Sequence, residues 1–123
     1  MRFARYTFLA AGIYGIFVVA PEYFLEARYG RDFPPPINHP EFFYGFVGLC
    51  LVFQFLFLLI ASNPVRFRPV MLVAILEKLS FSIPAVVLHL HGRLNPLVTG
   101  FALTDLVWAT LFLIAYFRTP CST

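Results

Sequence analysis

Glu77 and Lys78 stand side by side in AILEKLSFSI (74–83), inside an apolar run from Pro69 to Leu90. Asp105 interrupts a second such run, from Pro96 to Phe117. An isolated charge at the centre of a bilayer costs about 2.5–3.5 kcal/mol on insertion scales, so membrane helices keep such groups paired, turned inward or beside water. One lysine and two carboxylates leave one acid in excess. That acid needs a proton, a cation or a cationic ligand. The chemistry open to the set is therefore proton-coupled exchange or capture of an amine, and the residues do not choose between them. The plainer alternative is a Lys78–Asp105 ion pair that only fixes helix register.

Helical phase decides which groups can meet. Lys78 shares a stripe with Ala74, Ser82, Ala85 and His89, a small and polar face of the kind that lets membrane helices approach closely. Asp105 shares its stripe with Ala102, Ala109, Phe112 and Tyr116, with Trp108 to one side. If the two helices are centred near Ser80 and Val107, Lys78 and Asp105 lie about 3 Å on opposite sides of the midplane, within reach of a lysine side chain. Tyr14 adds a phenol from the first apolar run and Gln54 an amide from the second. The expected ligand-binding set is Lys78, Asp105 and Glu77, with Gln54, Tyr14, Ser82 and Trp108 beside them. Glu77 is turned about 100° from Lys78, toward Phe81 and Pro84, and is expected to meet a different neighbour.

The elements that hold these residues follow from composition. Of 123 residues, 60% are hydrophobic and 12% charged, and 16 are Phe. Soluble domains average about 45–50% apolar and about 25% charged residues, so one small core could not hide this surplus. A bilayer can. Four runs are long enough to span it, at about 6–25, 42–61, 70–90 and 96–117. The segments between them (Arg28 to Pro40, Ser62 to Pro69, His91 to Pro96) contain proline, the first and third glycine as well, and each ends in a proline suited to a helix start. The expectation is one all-α domain, a transmembrane up-down four-helix bundle.

With the N-terminus inside, Arg2, Arg5, Arg66, Arg68 and Arg118 are cytoplasmic, and Arg28, Arg31 and Arg93 lie outside. That favours cytoplasmic termini, as in a bacterial inner-membrane protein. The basic, then apolar, N-terminus resembles a signal peptide but offers no small-x-small site before a polar region, so it reads as a signal anchor. Scattered arginines exclude a nucleic-acid footprint.

The outer rim gathers Glu22, Glu26, His39, Glu41, His89 and His91. His89 and His91 point about 200° apart on a helix, so no metal site is expected from them. Asn38 or His39 is expected to cap the second span, with Pro40 in its first turn and Glu41 at the positive end of its dipole. Gly45 and Gly48 would permit close packing, within the bundle or against a second copy. Cys50 and Cys121 fall near opposite membrane faces and are not expected to pair. No phosphate loop, nucleophile elbow, haem or iron–sulfur spacing is present, so the cofactor stays unknown.

The layout, with Tyr14-Gly15, Asn38-His-Pro-Glu-Phe-Phe-Tyr-Gly45 and Asp105-Leu-Val-Trp-Ala-Thr-Leu-Phe112, resembles the small bacterial four-helix membrane proteins of the DoxX-like type. Some of those are associated with quinone-linked oxidoreductase complexes. A more distant likeness is to the sterol-isomerase and emopamil-binding group, whose histidine and glutamate pattern this chain does not reproduce. The leading expectation is a binder of a lipophilic or amphipathic small molecule, such as a quinone, a sterol-like compound or an amine. The rivals are an accessory subunit of a membrane redox complex, and a small proton-coupled transporter or channel acting as a homodimer. Whether any reaction is catalysed stays open.

Overall fold

Prolines set the helix starts in this chain, and apolar runs set the helix lengths. The computed structural model describes residues 2–32, 34 and 38–121. Helix α1 spans Arg2–Val19 and continues through a short 3-10 turn over Ala20–Phe24. Pro21 lacks an N–H and crowds the preceding turn, which accounts for the tightening there. Helix α2 (Glu26–Asp32) is short; α3 (Pro40–Ser62), α4 (Val70–Leu90) and α5 (Pro96–Arg118) are long. Four segments, Arg2–Phe24, Pro40–Ser62, Val70–Leu90 and Pro96–Arg118, are long and apolar enough to cross a membrane. The chain is an all-α bundle of the multi-pass membrane type.

Two boundaries differ from the sequence expectation. The break after α1 does not begin at Arg28: residues through Asp32 are helical, and the expected proline-rich linker is described only at Pro34, Asn38 and His39, its other residues lying outside the described ones. The cap of α3 also differs. His39 occupies the N-cap position but makes no side-chain cap bond, because its Nδ1 instead meets the Glu41 carboxylate at 3.1 Å. Asn95 supplies the true side-chain cap, at the start of α5, accepting from the Leu97 N–H at 2.9 Å.

Neighbouring spans run antiparallel. At the end carrying both termini, Arg5 donates to the Ala61 carbonyl at 3.2 Å, tying the start of α1 to the end of α3. Arg68 donates to the carbonyls of Tyr116 and Thr119 at 3.0 and 2.8 Å and lies over the Tyr116 ring, tying the turn before α4 to the end of α5. These guanidiniums satisfy carbonyls that helix ends leave without partners. Helix α1 packs mainly on α3 and α5, and α4 mainly on α5; of the neighbouring spans α3 and α4 touch least, leaving a thin seam.

The apolar core fills the half of the bundle nearest the termini. Phe8, Phe57 and Phe112 are fully buried, with Phe8 stacked on Phe112 at 4.2 Å and Phe57 edge-on to Phe112 at 5.1 Å. Met71, Ile60 and alanines from all four spans close around them. Outward, Phe17, Leu49, Val52, Phe55, Leu76 and Val107 stand exposed on the long helices, as a hydrocarbon solvent requires.

Candidate functional site

Directly beyond the aromatic core the bundle interior turns polar. Lys78 is 6% exposed, and its ammonium lies 5.2 Å from the centroid of the Phe57 ring, which forms the apolar floor. The same ammonium reaches Asp105 Oδ1 at 3.4 Å and stands 3.9 Å from Glu77 Oε2. Glu77 therefore does not turn to a different neighbour. Its side chain is 13% exposed, against 22% for Asp105. One ammonium faces two carboxylates.

These groups line a cavity of about 100 Å³ between the four spans, with Tyr14, Gly15, Val18, Val19 and Glu22 from the first, Cys50 and Gln54 from α3, and Phe101 from α5. Gln54 is 2% exposed, and its amide N–H₂ donates to the Cys50 carbonyl at 2.8 Å. A carbonyl only accepts, so that bond fixes which end of the amide carries oxygen. Among the described residues, neither Gln54 Oε1, pressed against Gly15, nor Glu77 Oε2 has a hydrogen-bond donor.

The remaining expected residues are placed differently. Ser82 is fully buried, but its hydroxyl donates to the Lys78 carbonyl of its own helix at 2.9 Å. Trp108 packs on Tyr14 and Phe112, at 5.8 and 6.1 Å between ring centres, behind the cavity wall. His89 stands away toward the far end and meets Thr99 at 3.1 Å. Cys50 and Cys121 are free thiols. Among the described residues no three His, Cys, Asp or Glu side chains converge as metal ligands.

Sequence reasoning placed Glu22 on the rim and missed its second position, in the cavity wall. The signal was present: Gly15, Val18, Val19 and Glu22 follow one helical stripe, and the 3-10 turn continues the rod without breaking it. Glu22 and Phe101 also line a second, larger space of about 650 Å³ at the far end. Leu25, Phe46, Phe81, Leu97 and Val98 make that groove largely apolar, and Arg28, Asp32 and Asn95 make it polar at the mouth. Phe46 of α3 and Phe81 of α4 face each other across the thin seam at 6.0 Å.

Helix α2 is held over this end by two phenol–carboxylate bonds. Tyr29 donates to Glu22 Oε1 at 2.9 Å, and Tyr44 donates to Glu26 Oε2 at 3.1 Å. Burial, then the bond to Glu22, pushes the Tyr29 phenol up to about 12. The sign follows from linkage. The folded state holds the phenolic proton more tightly than the unfolded chain, so this stabilisation is complete below pH about 10 and is lost as pH rises toward 12. Ultraviolet titration is expected to show a tyrosine ionising near pH 12 that disappears in Tyr29→Phe; an unchanged titration curve would contradict the buried Glu22 contact.

Compared with protein families, characterised proteins and solved structures, the chain shows no significant match to any of them.

Proposed function

We propose that this protein binds a lipophilic or amphipathic small molecule drawn from the bilayer, its polar end in the core cavity and its apolar body in the far-end groove. One observation supports this above others: the two spaces share Glu22 and Phe101 as a common wall. Small-molecule sites occupy about 300–1,000 Å³, are mostly apolar and orient their ligand with a few polar groups. The core cavity, at about 100 Å³, is too small alone, and the groove, at about 650 Å³, is in range. A ligand lying past Glu22 and Phe101 would place its apolar body in the groove and its polar end beside the charges. The seam between Phe46 and Phe81 offers a route from hydrocarbon. The excess of arginine at the terminal end supports cytoplasmic termini in a bacterial inner membrane, with the groove facing outward.

The test is native mass spectrometry of the full chain in lipid nanodiscs, with twelve-carbon alcohol, acid and amine added as probes. Trp108 is the sole tryptophan and contacts Tyr14 of the cavity wall, so its emission reports occupancy. At least one probe is expected to saturate both signals, and Val98→Phe, which fills the groove, to weaken it about tenfold, the scale of one lost apolar pocket contact. No retained mass and no saturable change in emission with any probe would refute the reading.

A second reading, proton-coupled transport, draws support from the descent of acids from Glu22 to Glu77 and Asp105. It requires proton flux in liposomes that is lost in Asp105→Asn.

A further inference from the structure

We infer that the polar end of the ligand is a primary or secondary ammonium group, an assignment that rests on the binding reading above. Charge balance points the same way throughout the cavity. Lys78 offsets one of the two core carboxylates, and Glu22 adds a third acid at the shared wall. A ligand carrying one positive charge neutralises the core pair's excess; an anion would double it.

Hydrogen bonding gives an independent argument. Gln54 is more than nine-tenths buried and lines the cavity, its N–H₂ is committed to the Cys50 carbonyl, and its Oε1, packed against Gly15, has no donor among the described residues. Glu77 Oε2 is likewise buried without one, since the Lys78 ammonium stands at 3.9 Å, beyond hydrogen-bond range. Buried acceptors left without donors are costly, so the site asks for a molecule that brings N–H groups. A quinone presents only acceptors. A quaternary ammonium has the charge but no N–H. An alkylammonium has both, and a space of about 100 Å³ admits it with its alkyl chain passing Phe101 into the groove.

The experiment compares dodecylammonium, dodecyltrimethylammonium, dodecanol and dodecanoate, all with one tail length, against the full chain in phosphatidylcholine nanodiscs, with empty nanodiscs as reference. Trp108 emission and native mass spectrometry give the affinities. Dodecylammonium is expected to bind about tenfold or more tighter than the other three, the yield of one charge-assisted hydrogen bond. Glu77→Gln is expected to reduce that preference about tenfold. Glu22→Gln serves as a second variant should Glu77→Gln lose its native Trp108 spectrum. Equal affinities across the series, or a preference for another head, would overturn the ammonium assignment and leave the binding reading standing. An amine preference that survives both variants would overturn the site. Failure of all four probes to bind would overturn both.

Discussion

Lys78→Ala is expected to lower the unfolding free energy by about 3–5 kcal/mol, the range found when one partner of a buried ion pair is removed. The lysine is almost wholly enclosed, and its loss leaves Asp105 and Glu77 facing each other across a small cavity with no counter-charge. Adding Asp105→Ala to the same chain is expected to recover part of the loss, because the one remaining carboxyl can take up a proton instead of repelling a second. The double variant should therefore be more stable than the Lys78→Ala single, an order that additive contributions would reverse. Neutral hydrogen bonds between membrane helices couple by about 0.6 kcal/mol on average, so a coupling clearly above that value marks a charged pair rather than a generic polar contact. Unfolding midpoints of wild type, both single variants and the double variant in one detergent decide it. A double variant less stable than Lys78→Ala would mean that the ammonium does not depend on Asp105.

The pairing was readable in the sequence for a geometric reason. Helices α4 and α5 are antiparallel with a short connection, so residues at similar distances from that turn must come level, and Lys78 and Asp105 do. The span limits were readable too, since a proline or a polar break bounds each apolar run. Glu77 was not. A phase difference of about 100° separates it from Lys78, but a cavity among four helices subtends a wider arc than a two-helix contact, so adjacent positions can both face it. Glu22 was read only as a rim residue because it lies near the end of the first span, whereas the 3-10 turn there keeps the course of the helix and brings Glu22 into the cavity wall as well. Helix α2 was hidden by the prolines that follow it. The seven glycines posed a different problem: spacing shows that two can lie on one face, and nothing in one sequence says which face is covered.

That ambiguity gives the second large effect. Gly45 has open space around it, while Gly12 and Gly15 are the glycines that bring α1 against α3. A Cβ at Gly12 would stand 2.7 Å from Leu58 Cδ2 and 3.0 Å from the Gln54 backbone oxygen. The leucine can shift, but the backbone oxygen cannot move without α3. Gly12→Ala must push the two helices apart, and a loss of about 1–3 kcal/mol is expected, as for other overpacked cores. At Gly15 the added carbon collides with the Gln54 side chain, which can swing away only by releasing the Cys50 carbonyl. Gly15→Ala should therefore disturb the cavity wall, and with it Trp108 emission on ligand addition, more than it disturbs stability. Gly45→Ala and Gly100→Ala meet nothing within 4 Å and should leave the midpoint unchanged or raise it slightly, because alanine holds a helix better by about 1 kcal/mol. Thermal unfolding of the four variants in one detergent separates the cases. If Gly45→Ala proves the damaging change and Gly12→Ala the harmless one, the close seam lies on the other side of α3, against a second copy of the chain, and the cavity drawn between α1 and α3 loses its wall.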